Sequence, residues 1–310
     1  MNNALKLLAI STLGLSVHIS ALAQDSFGVL VMAHGGIDEW EQGVLDTVQP
    51  LQQDYPLEVA FGMADAYSLQ EAVSKLEARG VNDIAVVRLF ISGESWYERT
   101  SQILGLQEGA PLRPATEPMH SHQTAEHGSH ADHSETQDAP THRMEFWKIS
   151  SDANFVLSEE GLADAEEMTQ VLLGRAQGLS QNPAKEDVLI LAHGPEDDAE
   201  NARWIQAITE RASPVLEYGF NRVKVTSLRE DWEEKREAAE QQVRDFVSTA
   251  TAEGRTAIVI PYRVHGFGPY ADVLEGLDYR ADEKGLIPHE GVSEWIDSQA
   301  RALKPKLADS

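Results

Sequence analysis

A seven-residue pattern occurs twice in this chain, as Val29-Leu30-Val31-Met32-Ala33-His34-Gly35 and as Val188-Leu189-Ile190-Leu191-Ala192-His193-Gly194, each an apolar run closed by His-Gly. Runs of Val, Leu and Ile without polar alternation read as strands buried on both faces, the mark of a parallel sheet covered by helices. That confines the chain to α/β architectures. In open sheets of this kind the carboxyl ends of the strands line the ligand crevice. Each histidine sits at such an end, with a glycine behind it that permits a sharp turn. A single histidine in that place is commonly a hydrogen-bonded structural residue. Two copies in matching contexts point to binding or chemistry.

The pattern around each copy is also shared. After the first run, Asp38 to Gln52 has helical spacing and Leu57 to Met63 reads as a short strand. Ser68 to Arg79 reads as a helix with a capping box of Ser68 and Glu71, closed by Gly80, and Asp83 to Ile91 as another buried strand. The second half repeats the order: strand 188–192, helix 199–216, strand 222–228, helix 231–252, strand 256–262. Tyr97 leads to Ile103-Leu104-Gly105-Leu106 as Tyr270 leads to Leu274-Glu275-Gly276-Leu277. Such a β-α-β-α-β series predicts a parallel sheet with right-handed crossovers, and its recurrence predicts a duplicated α/β domain.

Residues 107–142 interrupt this order. The stretch is rich in Pro, Ser, Thr and Glu, lacks hydrophobic periodicity and holds His120, His122, His127, His130, His133 and His142. It reads as a disordered insertion. Neutral imidazoles in such a tract can collect a borderline divalent metal, and a solvated spacer fits equally well. The expected organisation is therefore an N-terminal domain over 24–106 and 143–180, with Phe146 to Ile149 and a helix over 159–179 completing it, and a C-terminal domain over 181–310.

The chain opens with Lys6, an apolar stretch from Leu7 to Leu22 and the small-residue site Ala21-Leu22-Ala23. This predicts a signal peptide over 1–23, cleaved before Gln24, and hence export to the periplasm or beyond. Ser11, Thr12, Ser16, His18 and Ser20 make the stretch too polar for a membrane-spanning helix. No integral membrane segment is expected after cleavage. The absence of cysteine excludes disulfides and thiolate metal sites, leaving His, Asp and Glu for any metal. Fifty-one acidic against twenty-five basic residues give a formal charge of −26, a field that repels nucleic acid and attracts divalent cations. Solubility alone also accounts for the charge.

The third strand of each half ends in a second notable sequence, Arg88-Leu89-Phe90-Ile91-Ser92-Gly93-Glu94-Ser95 and Pro261-Tyr262-Arg263-Val264-His265-Gly266-Phe267-Gly268. First and third strands of such units are often neighbours, which pairs His34 with Glu94 and His193 with His265. A neutral imidazole ligates a divalent ion or accepts a proton, and a carboxylate beside it can do either. Glu94 also reads as a solvated loop carboxylate.

The His-Gly after the first strand, the Leu89-Phe90-Ile91-Ser92-Gly93 segment after the third, the duplication, the His-rich insert and the ending Gly285-Leu286-Ile287-Pro288-His289 together resemble the class II chelatases. This is the sirohydrochlorin cobaltochelatase and ferrochelatase group. The resemblance covers most of residues 27–297 outside the insert. It implies a lyase that inserts Co²⁺, Fe²⁺ or Ni²⁺ into a carboxylate-rich tetrapyrrole without ATP. The metal is then substrate, and no organic cofactor is expected. Family members place one His after the first strand and usually another after the third, within one half. His34 and His193 take the first role, so that His34, Glu94, His193 and His265 are the implied catalytic set, with His34, His193 and His265 as metal ligands. This chain departs from the pattern, since Glu94 stands near the expected third-strand histidine of the first half and His265 is offset in the second. Arg88, Arg99 and Arg263 near the cleft are candidates to bind substrate carboxylates or surface residues that serve solubility, and Trp96, Tyr97, Phe267 and Tyr270 could stack on a flat ring or pack in the core. His289, before the last helix, caps or packs that helix or serves as a further ligand. Export favours an alternative, a metal- or tetrapyrrole-binding protein that has lost turnover.

Overall fold

The computed structural model describes residues 26–114 and 144–308; the expected signal peptide and the six histidines of the expected insertion lie outside them, whereas residues 107–114 of that insertion are described and Leu112 bridges to Lys148. The first half forms a parallel sheet of order β2-β1-β3-β4 from β1 (Phe27–Ala33), β2 (Leu57–Phe61), β3 (Asp83–Leu89) and β4 (Asn154–Leu157). The second repeats it as β6-β5-β7-β8 with β5 (Glu186–Ala192), β6 (Arg222–Ser227), β7 (Thr256–Tyr262) and β8 (Tyr279–Arg280). In both sheets the His-Gly strand lies between the second and third strands. Ala33 pairs with Leu89 and Ala192 with Tyr262, which brings the two notable loops of each half side by side. The expected α/β fold with two similar parallel-sheet units is thus present. Every residue of β1 and β5 is buried, as a strand covered on both faces requires.

Among the described residues, nine α-helices run between and beside the strands: α1 (Asp38–Val48), α2 (Ala66–Glu77), α3 (Tyr97–Ile103), α4 (Met168–Leu179), α5 (Asp198–Arg211), α6 (Ser213–Glu217), α7 (Glu233–Ala252), α8 (Tyr270–Val273) and α9 (Glu290–Ala308). Several bounds differ from the sequence expectation for local reasons. Asp65, not Ser68, caps α2: its carboxylate accepts from the Ser68 N–H at 2.8 Å and from the Glu145 N–H at 2.8 Å, tying the helix to the chain beyond the insert. The single helix expected over 199–216 breaks at Ala212, because Pro214 has no N–H to continue the ladder. Residues 159–167 are not helical, and the short strands β4 and β8 carry too few residues to show a period.

Packing crosses the boundary between the halves. α9, last in the chain, lies on β3 and β4 of the first sheet, while α4, which precedes the second half, lies on β7. With α1 and α5 they form a shared helical layer between the two sheets, filled by one apolar core that includes Val31, Val44, Val87, Leu172, Ile190, Ile260, Trp295 and Ile296. Two outer cores sit under α2 and α7. Polar links reinforce the middle layer. The fully buried Tyr262 donates to the Leu162 carbonyl at 2.6 Å, Trp295 Nε1 to Glu160 at 2.7 Å, and Tyr55 to Asp297 at 2.7 Å. Among the described residues, no helix is long and apolar enough to cross a membrane.

Candidate functional site

The two His-Gly turns are built alike. In each the glycine takes a positive φ, 78° at Gly35 and 83° at Gly194, and the imidazole Nδ1 lies 2.8 or 2.9 Å from that glycine's carbonyl oxygen. A carbonyl only accepts, so in the neutral ring Nδ1 carries the hydrogen and Nε2 the lone pair. Each ring also meets a tryptophan edge to face at 6.1 Å, Trp40 for His34 and Trp232 for His193.

Their wider settings differ. His34 is exposed. His193 is half-buried, with Nε2 3.1 Å from Asp231 and 3.8 Å from the buried Glu230. Glu230 in turn holds Arg263, whose guanidinium lies over the Tyr270 ring. Arg229 and Lys235 fasten the loop after His193 by binding the Glu196 carbonyl and Asp198.

The loops after the third strands reach across to the other half, which overturns both sequence-based pairings. His265 does not meet His193. It lies against α1 of the first half, 6.5 Å from the Trp40 ring, in a notch left by Gly43, where a Cβ would stand 3.1 Å from its Cδ2. Burial holds the His265 pKa below the ordinary histidine value, Arg263 pushes the same way, and Glu39 opposes them. Glu94 does not meet His34. It pairs at 3.0 Å with Arg203 of α5 in the second half, and both side chains are largely exposed. His34 and His193 likewise belong to different settings. Among the described residues, no three or more His, Asp or Glu side chains form a ready-made metal cage, so the expected set of His34, His193 and His265 is not assembled as one centre.

Hydrogen bonds also correct the alignment of the halves. Leu162 and Ala163 donate to the carbonyls of Phe90 and Ile91, just as Leu286 and Ile287 donate to those of Arg263 and Val264. Gly161 packs on the backbone of Ser92 and Gly93 as Gly285 packs on that of His265 and Gly266, each too close to admit a Cβ. Ser92, not Glu94, therefore stands in the first half where His265 stands in the second. The segment 161–163 is the counterpart of 285–287, a match hidden in the sequence because only glycine and leucine recur.

The three candidate arginines are committed to the fold. Arg88 is 1 % exposed and donates to the carbonyls of Ser158, Gly93 and Ser95, and burial lowers its pKa to about 10. Arg99 binds the carbonyls of Ala64, Met144 and Glu145, and Arg263 is paired with Glu230. None offers a free fork to a ligand carboxylate. Phe267 and Tyr270 are buried in the outer core, so neither is available to stack. His289 accepts from the Gly291 N–H at 3.0 Å and so caps α9, with burial and Arg175 keeping its pKa low.

A cleft of about 630 Å³ opens between the halves, lined by Ser92, Glu94 and Tyr97 on one side and Arg203, Trp204 and Ala207 on the other. Trp40 and Trp204 were both missed by sequence reasoning. Each sits on an amphipathic helix, and nothing in the helical period separates a cleft-facing tryptophan from a core one.

No protein-family model matches the chain, and no curated protein matches it. Solved structures do. SirB from Bacillus subtilis with Fe³⁺ superposes with a TM-score of 0.56 at 11 % identity, over 89 % of this chain and 94 % of that one. The sirohydrochlorin chelatase SirB from Bacillus subtilis subspecies spizizenii, in complex with cobalt, gives 0.53 at 11 % identity over 91 % and 98 %. A multi-domain protein of Deinococcus radiodurans, structurally similar to chelatases and carrying two additional novel domains, gives 0.54 at 16 % identity. The match covers 89 % of this chain but 55 % of that longer one. Two parallel four-stranded sheets sharing a helical layer, each with a histidine at the end of its first strand, give this chain an α/β fold that resembles the chelatases.

Proposed function

We propose that this protein inserts a divalent metal, Co²⁺ or Fe²⁺, into a sirohydrochlorin-type tetrapyrrole without ATP, and that it does so outside the cytoplasm after cleavage before Gln24. One combination carries this reading: a chelatase-like fold and an imidazole at the end of the first strand of each sheet. The chemistry suits those groups. As a metal enters the macrocycle, two pyrrole N–H protons must leave and the ion must shed its waters, so the site needs weak ligands that also accept protons. His34 supplies a solvent-facing Nε2 lone pair, and burial keeps His265 in its neutral form near neutral pH.

A second reading, a metal or tetrapyrrole carrier without turnover, is favoured by one observation: Arg88, Arg99 and Arg263 are all engaged, leaving none of the three to hold a polycarboxylate in place. The two readings are separated by incubating protein purified from the exported fraction with sirohydrochlorin and Co²⁺ and following the absorbance change. Wild type is expected to metallate the macrocycle catalytically, and a His34→Ala, His193→Ala double variant at the rate of buffer. Stoichiometric binding without turnover overturns the enzymatic reading.

A further inference from the structure

The duplication supplies an internal comparison for the cleft over α5. The hydrogen bonds that match Phe90 and Ile91 to Arg263 and Val264, and Leu162 and Ala163 to Leu286 and Ile287, give each first-half residue of the cleft a counterpart in the second half. Glu94, Glu98 and Asp164 line the cleft, and their counterparts are the uncharged Phe267, Ala271 and Pro288. Glu159 also lines it and corresponds to Glu283. Most of this acidity is therefore particular to the cleft and is not shared with the equivalent place in the other half. The walls carry four carboxylates, Glu94, Glu98, Glu159 and Asp164, against one cation, Arg203, which is spent on Glu94 at 3.0 Å. Among the described residues, Glu98, Glu159 and Asp164 make no ion pair. The neighbouring Glu160 registers the surplus: burial, and after it the charges of Glu167 and Asp164, hold its carboxyl above the ordinary range against Trp295 and Arg211. Tyr97 of α3 and Trp204 of α5 add an aromatic ring to each wall. The volume, about 630 Å³, is that of a small-molecule pocket.

We propose that the cleft over α5 binds a linear polyamine, a chain of ammonium groups spaced by methylenes. Its charges match the three carboxylates left without partners. Its methylenes and cationic heads match the Tyr97 and Trp204 rings, which present apolar surface and attract cations to their faces. A hydrated divalent ion would use the carboxylates and leave both rings idle. A carboxylate-rich macrocycle is repelled by the same groups, so the site is separate from metallation and the proposal stands or falls without that reading.

Calorimetric titration of the purified full chain with spermidine tests this, at constant ionic strength and with Mg²⁺ as a competing cation. One saturable spermidine per chain is expected, displaced only weakly by Mg²⁺. Glu159→Gln and Asp164→Asn keep the side-chain shape and should each weaken binding about threefold to fivefold, and together about tenfold. Trp204→Ala should weaken it by about threefold to tenfold through loss of the ring face. Arg203→Ala separates the signs: it releases Glu94 and should tighten spermidine about twofold or more, whereas a site for an anion would weaken. Glu233→Gln with Glu237→Gln, on the acidic face of α7, controls for general attraction to a chain of formal charge −26 and should stay within about twofold of wild type. Denaturant midpoints identify any variant that fails to fold, and the two amide variants then carry the test. Absence of saturable binding, several equivalent sites, a loss in the α7 variant equal to that at Glu159 and Asp164, weakening by Arg203→Ala, or displacement by Mg²⁺ as strong as by spermidine itself would each overturn the proposal. Metallation of sirohydrochlorin, measured on the same protein, moves independently: its failure leaves spermidine binding in place, and loss of spermidine binding leaves metallation in place.

Discussion

Replacing Trp295 with Ala should destabilise the first half of the molecule, although the residue lies near the end of the second. Trp295 is fully buried on α9, which lies on β3 and β4 of the first sheet, and its Nε1 donates to Glu160 at 2.7 Å. Removing a buried tryptophan side chain costs roughly 3–5 kcal/mol. The substitution also takes from Glu160 a hydrogen bond to a carboxyl that burial already pushes toward its neutral form. At about 1.4 kcal/mol per tenfold, the loss corresponds to a hundred- to a few-thousandfold drop in protection of core amides. Hydrogen exchange followed by mass spectrometry on peptides covering residues 83–89 and 154–157 reads it directly. Trp295→Phe keeps most of the ring and loses only the bond, and should cost about 1–3 kcal/mol. If protection of β3 and β4 is unchanged in Trp295→Ala while only β7 peptides lose theirs, the shared helical layer is not what holds the first sheet.

Two further predictions follow from close contacts and from titration. Gly161→Ala places a Cβ 2.4 Å from Gly93 N and 2.5 Å from Ser92 C, so it should lower the denaturation free energy by about 3 kcal/mol or more, whereas Gly178→Ala, with open space around it on α4, should be neutral or stabilising by up to about 1 kcal/mol. His265 and His289 both have folded-state pKa values below the ordinary 6.5. As pH falls below 6.5 the unfolded chain takes up their protons first, so stability is full above that value and declines until the folded-state values are passed. Denaturant midpoints should therefore fall between pH 7 and pH 5, less steeply in His265→Gln. An equal slope in the variant means the imidazole is not buried against α1 in solution.

Much of this architecture was legible because burial leaves a strong compositional trace. β1, β3, β5 and β7 are covered on both faces, so their apolar runs and the His-Gly ends stood out, and the Tyr97 and Tyr270 matches fell on the starts of α3 and α8. β4 and β8 were invisible, since four and two residues carry no period. The site was only half legible. Sequence reasoning located His34, His193 and His265 but placed their partners within each half. No local signal records that the loop after β7 reaches α1, or that the loop after β3 reaches α5. That information lies in the packing of α4 and α9 across the halves. Once the crossed packing is known, Ser92 replaces Glu94 as the counterpart of His265, and the arginines resolve into loop supports.

The exchange of covering helices also sets when the protein can fold. As the chain leaves the ribosome, β3 and β4 are complete well before the element that shields them, because Glu290–Ala308 follows both sheets in the sequence. The first sheet must wait, its inner face open, until that helix has been made. Loss of α9 would therefore uncover the earlier-made sheet rather than the later one.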